Sequence, residues 1–358
     1  MLTRAWMEVD LGALVRNAMT LADRAGVPLI PMIKDEAYGL GAEQVSRALE
    51  PLSPLAYGVA TVVEGEELRA CGIDRPILVF TPLLIEEMEA AHLARLTPVL
   101  GSREEIEAWS IYGSPYNLSI DTGMSRAGVQ WRDMENLRSV ITRHPPSGAF
   151  THFHSAQLDD GSMDEQERRF REAVDKLPDR PAILHTDNSA AIARHGRSQW
   201  DAVRPGVFMY GVGSGASAAV QPDPVVYVKA RVVATRWVEA GDTVSYDATW
   251  TAPSRRLIAT IPLGYGDGYP RGASNAGFGL VRGFVVPIVG RVTMDMIMLD
   301  VTETGVEPGD VVTMIGDAAA ARAPIDVAGV AAIAGISAYE ILTGLRGRLR
   351  RIYTGQAP

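Results

Sequence analysis

Residues 28–41 read PLIPMIKDEAYGLG, and the choice of fold depends on this stretch. Leu29, Ile30, Met32 and Ile33 make a short apolar run, too brief for a helix and suited to a buried strand. Lys34 follows directly, so its stem is predicted to lie against apolar surface with the amine at the strand's C-terminal end. That setting lowers a lysine's pKa and suits Schiff-base chemistry. A surface lysine at a strand end is the plainer alternative. Gly39 and Gly41 frame a tight turn into a helix, where backbone N–H groups can meet a phosphate, and Tyr38 is placed to add a hydroxyl.

Moving outward, candidate strands at 29–34, 56–61, 76–80, 96–100, 116–121, 149–154, 182–186 and 203–209 alternate with amphipathic patterns. The helical patterns include 11–25, 41–49, 64–71, 85–94, 103–109, 132–142, 163–177 and 189–194. Crossovers of that length impose parallel pairing. Eight units predict an α/β fold with a (β/α)8 barrel, against the alternative of an open doubly wound sheet. After Tyr210 the texture changes. GVGSGASAAVQPD (211–223) reads as a linker. The β-branched runs at 225–234, 243–246, 257–262, 279–281, 285–289, 296–301 and 311–315 predict a second, β-rich domain with a helix at 327–334. DAAAARAP (317–324) reads as a surface loop. The expected division is a barrel over 8–215, with 1–7 and 224–358 forming the second domain.

In a barrel, polar residues at the C-terminal ends of strands build the site. Here those ends carry Lys34, Asp121 with Arg126, His152 and His154, His185 with Asn188 and Ser189, and Arg204. Composition narrows the field further. The net charge of −9, spread without long like-charge blocks, disfavours nucleic acid and a membrane surface as partners. Cys71 is the only cysteine, which excludes an intramolecular disulfide and a multi-cysteine zinc site. MLTRAWMEVD lacks the apolar core of a signal peptide, and no apolar stretch could span a bilayer, so the expected location is the cytoplasm.

IKDEAYGLG (33–41) resembles the lysine motif of the alanine racemase family, whose members use pyridoxal phosphate (PLP). IDTGMSRAGV, THFHSA, HTDNSAA, VRPGVFMYG, VSYDATW, IPLGYGDGYPR, PIVGRVTMDM and ISAYEIL follow in the family's order, from AWMEVDL at the start to LRRIY near the end. The resemblance implies that Lys34 binds PLP covalently and that Arg204 faces the pyridine nitrogen. It implies a phosphate held by Tyr38, Ser189, the N–H groups of Gly206 and Val207, and Tyr339. It also implies that Tyr246 is the second acid/base group, reaching the partner subunit's site in a homodimer, with His152 and Arg204 tuning it. Arg126 would meet the PLP phenolic oxygen and the substrate carboxylate, and Met294 would offer its N–H to that carboxylate. Tyr265 and Tyr339 would form an inner gate, with Arg271, Arg291 and Asp295 near the entrance. Considered alone, Ser189 is a helix N-cap, Arg204 a salt-bridge arginine and Tyr246 a core aromatic.

Some positions depart from the family pattern. Ser119 stands where many members carry a lysine that orients the arginine, so Arg126 is held by Asn117, by an anion or by nothing. Asp35-Glu36 and Leu40 alter the lysine motif. Asp247 replaces a usual Gly, and Gln157 a common Asp. The implied reaction is racemisation of alanine, with serine or another small amino acid as an alternative substrate. A barrel-type PLP decarboxylase and a non-catalytic PLP carrier are the competing classes.

Overall fold

The computed structural model describes residues 3–215 and 218–355, so residues 216–217 of the predicted linker lie outside the described residues. Parallel strands Tyr57–Val59, Ile77–Val79, Thr97–Leu100, Asn117–Asp121, Gly148–Phe150, Ile183–Asn188 and Ala202–Arg204 stand side by side in chain order. Segment 29–33 completes the ring as the first barrel strand. Leu29 bridges Val203 on one side and Met32 bridges Gly58 on the other, both parallel. Ile30 N–H donates to Val203 O at 2.8 Å and Ile33 N–H to Gly58 O at 2.7 Å. The segment makes bridges and not a continuous ladder because Pro31 has no N–H to give. The predicted barrel and β-rich second domain are the architecture found.

Helix Leu11–Ala25 seals the barrel's flank. Asp10 caps it by accepting from Ala13 N–H at 2.9 Å, and Gly26 ends it with φ 67°. Leu11, Leu14, Ala18, Leu21 and Ala25 repeat every three to four residues and are buried. Cutting Leu14 to Ala would cost about 2–5 kcal/mol at such a site.

The second domain is built on a six-stranded sheet. Its order is Phe284–Pro287, Phe278–Val281, Val311–Ile315, Val226–Arg231, Ala5–Asp10, Arg350–Thr354. A three-stranded sheet, Ala234–Val238, Arg256–Ile261 and Ile297–Asp300, packs beside it. The expected strand 225–234 therefore divides in two. Val232 N–H goes to Asp310 O and Val233 N–H to Thr260 O, so the chain changes sheets between them. Part of the expected loop 317–324 is a short helix, Ala318–Ala321, because Asp317 caps it by accepting from Ala319 and Ala320 N–H. Among the described residues no single helix is long and apolar enough to cross a bilayer.

Candidate active site

Lys34 follows segment 29–33 directly, at the strand end that the sequence suggested, and opens the turn Lys34–Tyr38. Asp35, Glu36, Ala37 and Tyr38 all have φ between 54° and 56°, a left-handed turn of non-glycine residues. Such backbone costs about 1–2 kcal/mol per residue and is held by its surroundings. Asp35 N–H donates to Glu64 Oε1 at 2.7 Å, the Asp35 carboxylate pairs with Arg346, and Glu36 pairs with Arg351 at 3.0 Å. The two carboxylates of the altered motif thus point to cations of the second domain. Gly39 and Gly41 are not phosphate donors, since their N–H groups go to Asp35 O and Glu36 O. A Cβ on Gly39 would meet Leu342 O at 2.5 Å, so glycine here lets the turn dock against Ala338–Gly344. Burial, followed by the Arg126 guanidinium, pushes the Lys34 ammonium below the ordinary lysine value, against the opposing pull of Glu64 and Asp35.

Tyr38, Ser189 and Gly206 converge beside this turn. A Cβ on Gly206 would sit 2.7 Å from the Tyr38 hydroxyl, and Gly206 N–H donates to Ser189 Oγ at 2.8 Å. Phe208 N–H also reaches that oxygen, at 3.4 Å. Ser189 is not the N-cap of helix Ser189–His195. Asn188 takes that role by accepting from Ala190 and Ala191 N–H, each at 3.1 Å. Tyr38 stacks on Tyr210 with centroids 4.6 Å apart and faces Tyr339 at 6.0 Å. Burial pushes its phenol up, so Tyr38 stays a neutral donor.

Arg204 ends the eighth strand at 3 % exposure. Its Nη1 donates to His185 Nδ1 at 2.7 Å and His185 O at 2.6 Å. Its Nη2 reaches Thr151 O at 2.7 Å, Thr186 O at 2.9 Å and His152 Nδ1 at 3.4 Å. Among the described residues the Nε–H has no partner. Burial pushes the guanidinium down to about 9, which still leaves it protonated at neutral pH. His185, fully buried, is driven down by burial and Arg204. With Nδ1 accepting, its Nε2–H donates to Asn117 Oδ1 at 3.0 Å. Burial and then Arg204, Arg126 and Lys34 push His152 down to about 3. His152 is therefore neutral and adds a hydrogen bond to the site but no positive charge.

Arg126 is exposed on a loop shaped by Asp121, whose Oδ1 accepts from Gly123 N–H at 2.9 Å and Ser125 N–H at 3.0 Å. Asn117 is occupied by His185 and does not hold Arg126. Ser119 is buried, with Gly128 pressed against it: a Cβ there would lie 2.7 Å from Ser119 Oγ.

The second-domain residues form a separate group on the same chain. Tyr246 is 71 % exposed and Met294 53 %. Ser245, with φ 69°, donates from Oγ to Arg291 O at 2.8 Å, and Asp247 pairs with the Arg291 guanidinium at 3.3 Å. Tyr265 N–H goes to Thr293 O and Gly266 N–H to Met294 O, tying the two loops together. Asp295 pairs with Arg348, which also holds Asp267. Arg271 begins a short turn and is exposed. Sequence reading missed Glu64, Arg346 and Arg348. Each acts on a residue far along the chain, and only the Thr61–Glu64 capping pattern gave a local signal.

Fold and site define a two-domain barrel enzyme with a desolvated lysine, a buried arginine and a neutral histidine at the barrel mouth. Family comparison agrees: the alanine racemase N-terminal domain matches residues 9–214 and the C-terminal domain residues 225–353. The chain is 34 % identical to the alanine racemase of Citrifermentans bemidjiense over 373 residues, and 35 % identical to that of Sorangium cellulosum over 381; 98 % of each chain is covered. The Bartonella henselae alanine racemase, solved with covalently bound pyridoxal phosphate, superposes with a TM-score of 0.89 at 28 % identity, covering 99 % of this chain and 100 % of that one. The enzyme from D-cycloserine-producing Streptomyces lavendulae gives 0.92 at 30 %, covering 99 % and 98 %. This chain belongs to the alanine racemase family.

Proposed function

We propose that this protein racemises alanine with PLP as cofactor, using Lys34 and Tyr246 as acid/base groups on opposite faces of Cα. The donor set fits the cofactor. Lys34 supplies an amine with a lowered pKa, while Tyr38, Ser189 and Gly206 cluster where a phosphate would be held, with Val207 and Tyr339 beside them. The one unpaired N–H of Arg204 would meet the ring nitrogen. When bound, PLP makes the Cα–H of an attached amino acid acidic. Arg204 keeps its proton at neutral pH, which limits electron withdrawal and so disfavours side reactions. Arg126 would orient the substrate carboxylate, assisted by the N–H of Met294 from the partner.

The observation that carries the two-base reading is Tyr246 itself. It is an exposed phenol on a fixed turn, with no core of its own to fill. An unperturbed tyrosine is a poor base at neutral pH. The neutral His152 accepts at Nδ1, which leaves its Nε2–H to stabilise the phenolate of Tyr246 of the partner subunit. This reading requires a homodimer, with the barrel as residues 8–215 and a second domain of residues 1–7 and 224–358 reaching the neighbour. Tyr265 and Tyr339 would narrow the entrance, flanked by Arg271, Arg291 and Asp295, and so favour a methyl side chain.

The test is complementation between two inactive variants, Lys34→Ala and Tyr246→Phe. Each is expected to lose most racemase activity, and Tyr246→Phe to keep its PLP absorbance. Co-expressed, half of the dimers are mixed, and each mixed dimer holds one intact site, so about one quarter of wild-type activity returns. No recovery from a mixture of verified heterodimers would overturn the shared site. An active Tyr246→Phe homodimer would overturn the second base.

A further inference from the structure

Helix Ser162–Asp175 carries charged residues at most positions, yet Gln166 lies on its buried face with Phe170 and Ala173. It is 1 % exposed. The amide gives Nε2 to Thr122 Oγ1 at 3.1 Å and to His152 O at 3.1 Å, and Oε1 accepts from His154 N–H at 3.0 Å. Thr122 shares a 2.7 Å hydrogen bond with Thr151, whose carbonyl accepts from Arg204. One side chain outside the barrel therefore joins the loop that leads to Arg126 to the strand end bearing His152. A buried amide needs partners wherever it sits. These partners are confined to the two segments that carry functional groups.

We propose that Gln166 is a positioning residue that sets the distance between Arg126 and His152, and through it the grip on the substrate carboxylate. This rests on the reading of Arg126 as the carboxylate's partner. Gln166→Met keeps the length and removes all three bonds. Gln166→Glu keeps the acceptor for His154 N–H and removes both donors. Steady-state kinetics with alanine and calorimetric binding of propionate, a carboxylate without the amine, read the effect.

Gln166→Met is expected to raise KM and the propionate Kd about tenfold, with kcat reduced less than about threefold and PLP content unchanged. Both constants within about twofold of wild type would overturn the proposal, whatever the change in thermal stability. If Gln166→Met does not fold, Gln166→Glu and Thr122→Val are judged by the same criterion, with rises of about threefold expected. Arg126→Gln separates the two levels. If it leaves both constants unchanged, the carboxylate reading falls and this inference with it. If it raises both while the Gln166 variants do not, only the Gln166 inference falls.

Discussion

The barrel mouth and the exposed rim of the second domain fix their groups by opposite means. At the mouth the side chains themselves are bound. Arg204 makes five contacts to acceptors, His185 is held at both nitrogens, and Gln166 locks two segments together. On the rim the backbone is fixed while the side chains of Tyr246, Tyr265 and Met294 are exposed. The turn at Tyr246 is tied by the Ser245 hydroxyl and those at Tyr265 and Met294 by main-chain bonds, yet all three side chains stand in the open. The first arrangement is pre-organised for electrostatics. The second holds its exposed side chains out from fixed turns.

The sharpest way to break this contrast is Arg204→Ala. It orphans three carbonyl oxygens and two histidine nitrogens, each buried acceptor costing roughly 1–3 kcal/mol, so a loss of at least about 3 kcal/mol is expected in urea unfolding. A loss below about 1 kcal/mol would mean the mouth is not locked as described.

Acid should weaken the same region. Unfolded histidine binds a proton near pH 6.5, whereas His152 in the fold does so only near about 3. Between those values the unfolded chain holds more protons. The stability contributed by neutral His152 is therefore present above pH 6.5 and lost as pH falls, by about 1.4 kcal/mol per unit. Unfolding free energies measured between pH 6 and 4 should slope less in His152→Gln by about that amount. An unchanged slope would show that this histidine does not titrate as described. His185 pulls in the same direction.

On the rim, Asp247→Gly should change stability by less than about 0.5 kcal/mol, since relief of the left-handed backbone at φ 60° offsets an exposed ion pair. A loss above about 1.5 kcal/mol in denaturant unfolding would place the Asp247–Arg291 pair among the locked groups instead.

Much of the framework was legible from local pattern alone. The helix Leu11–Ala25, the strand Val311–Ile315 and the helix Val327–Ala334 coincide with their expected bounds: Asp10 and Gly26 cap the first helix, Asp326 and Gly335 the second, and Gly309 and Gly316 bracket the strand. Less legible was anything decided by a distant partner. Pro31 reduces the first barrel strand to bridges, and the carboxylates of the left-handed turn after Lys34 are met by Arg346 and Arg351 from far along the chain. The helix Ala338–Gly344 and the strand Arg350–Thr354 gave little periodic signal, and the strand is fixed by pairing with Ala5–Asp10. In the site, the strand-end lysine, histidines and arginine stood out. Gln166 did not, since an amide among charged neighbours looks like solvated surface until the fold turns it inward.

The strand Ala5–Asp10 has Val226–Arg231 on one side and Arg350–Thr354 on the other. A ribosome therefore delivers this strand well before either of its neighbours. While the barrel segments emerge and close, the opening strand has both hydrogen-bonding edges bare, a state that invites mispairing with other nascent chains. Its second neighbour emerges only after the whole barrel and the other strands of this sheet, so the two halves of the molecule mature on different clocks.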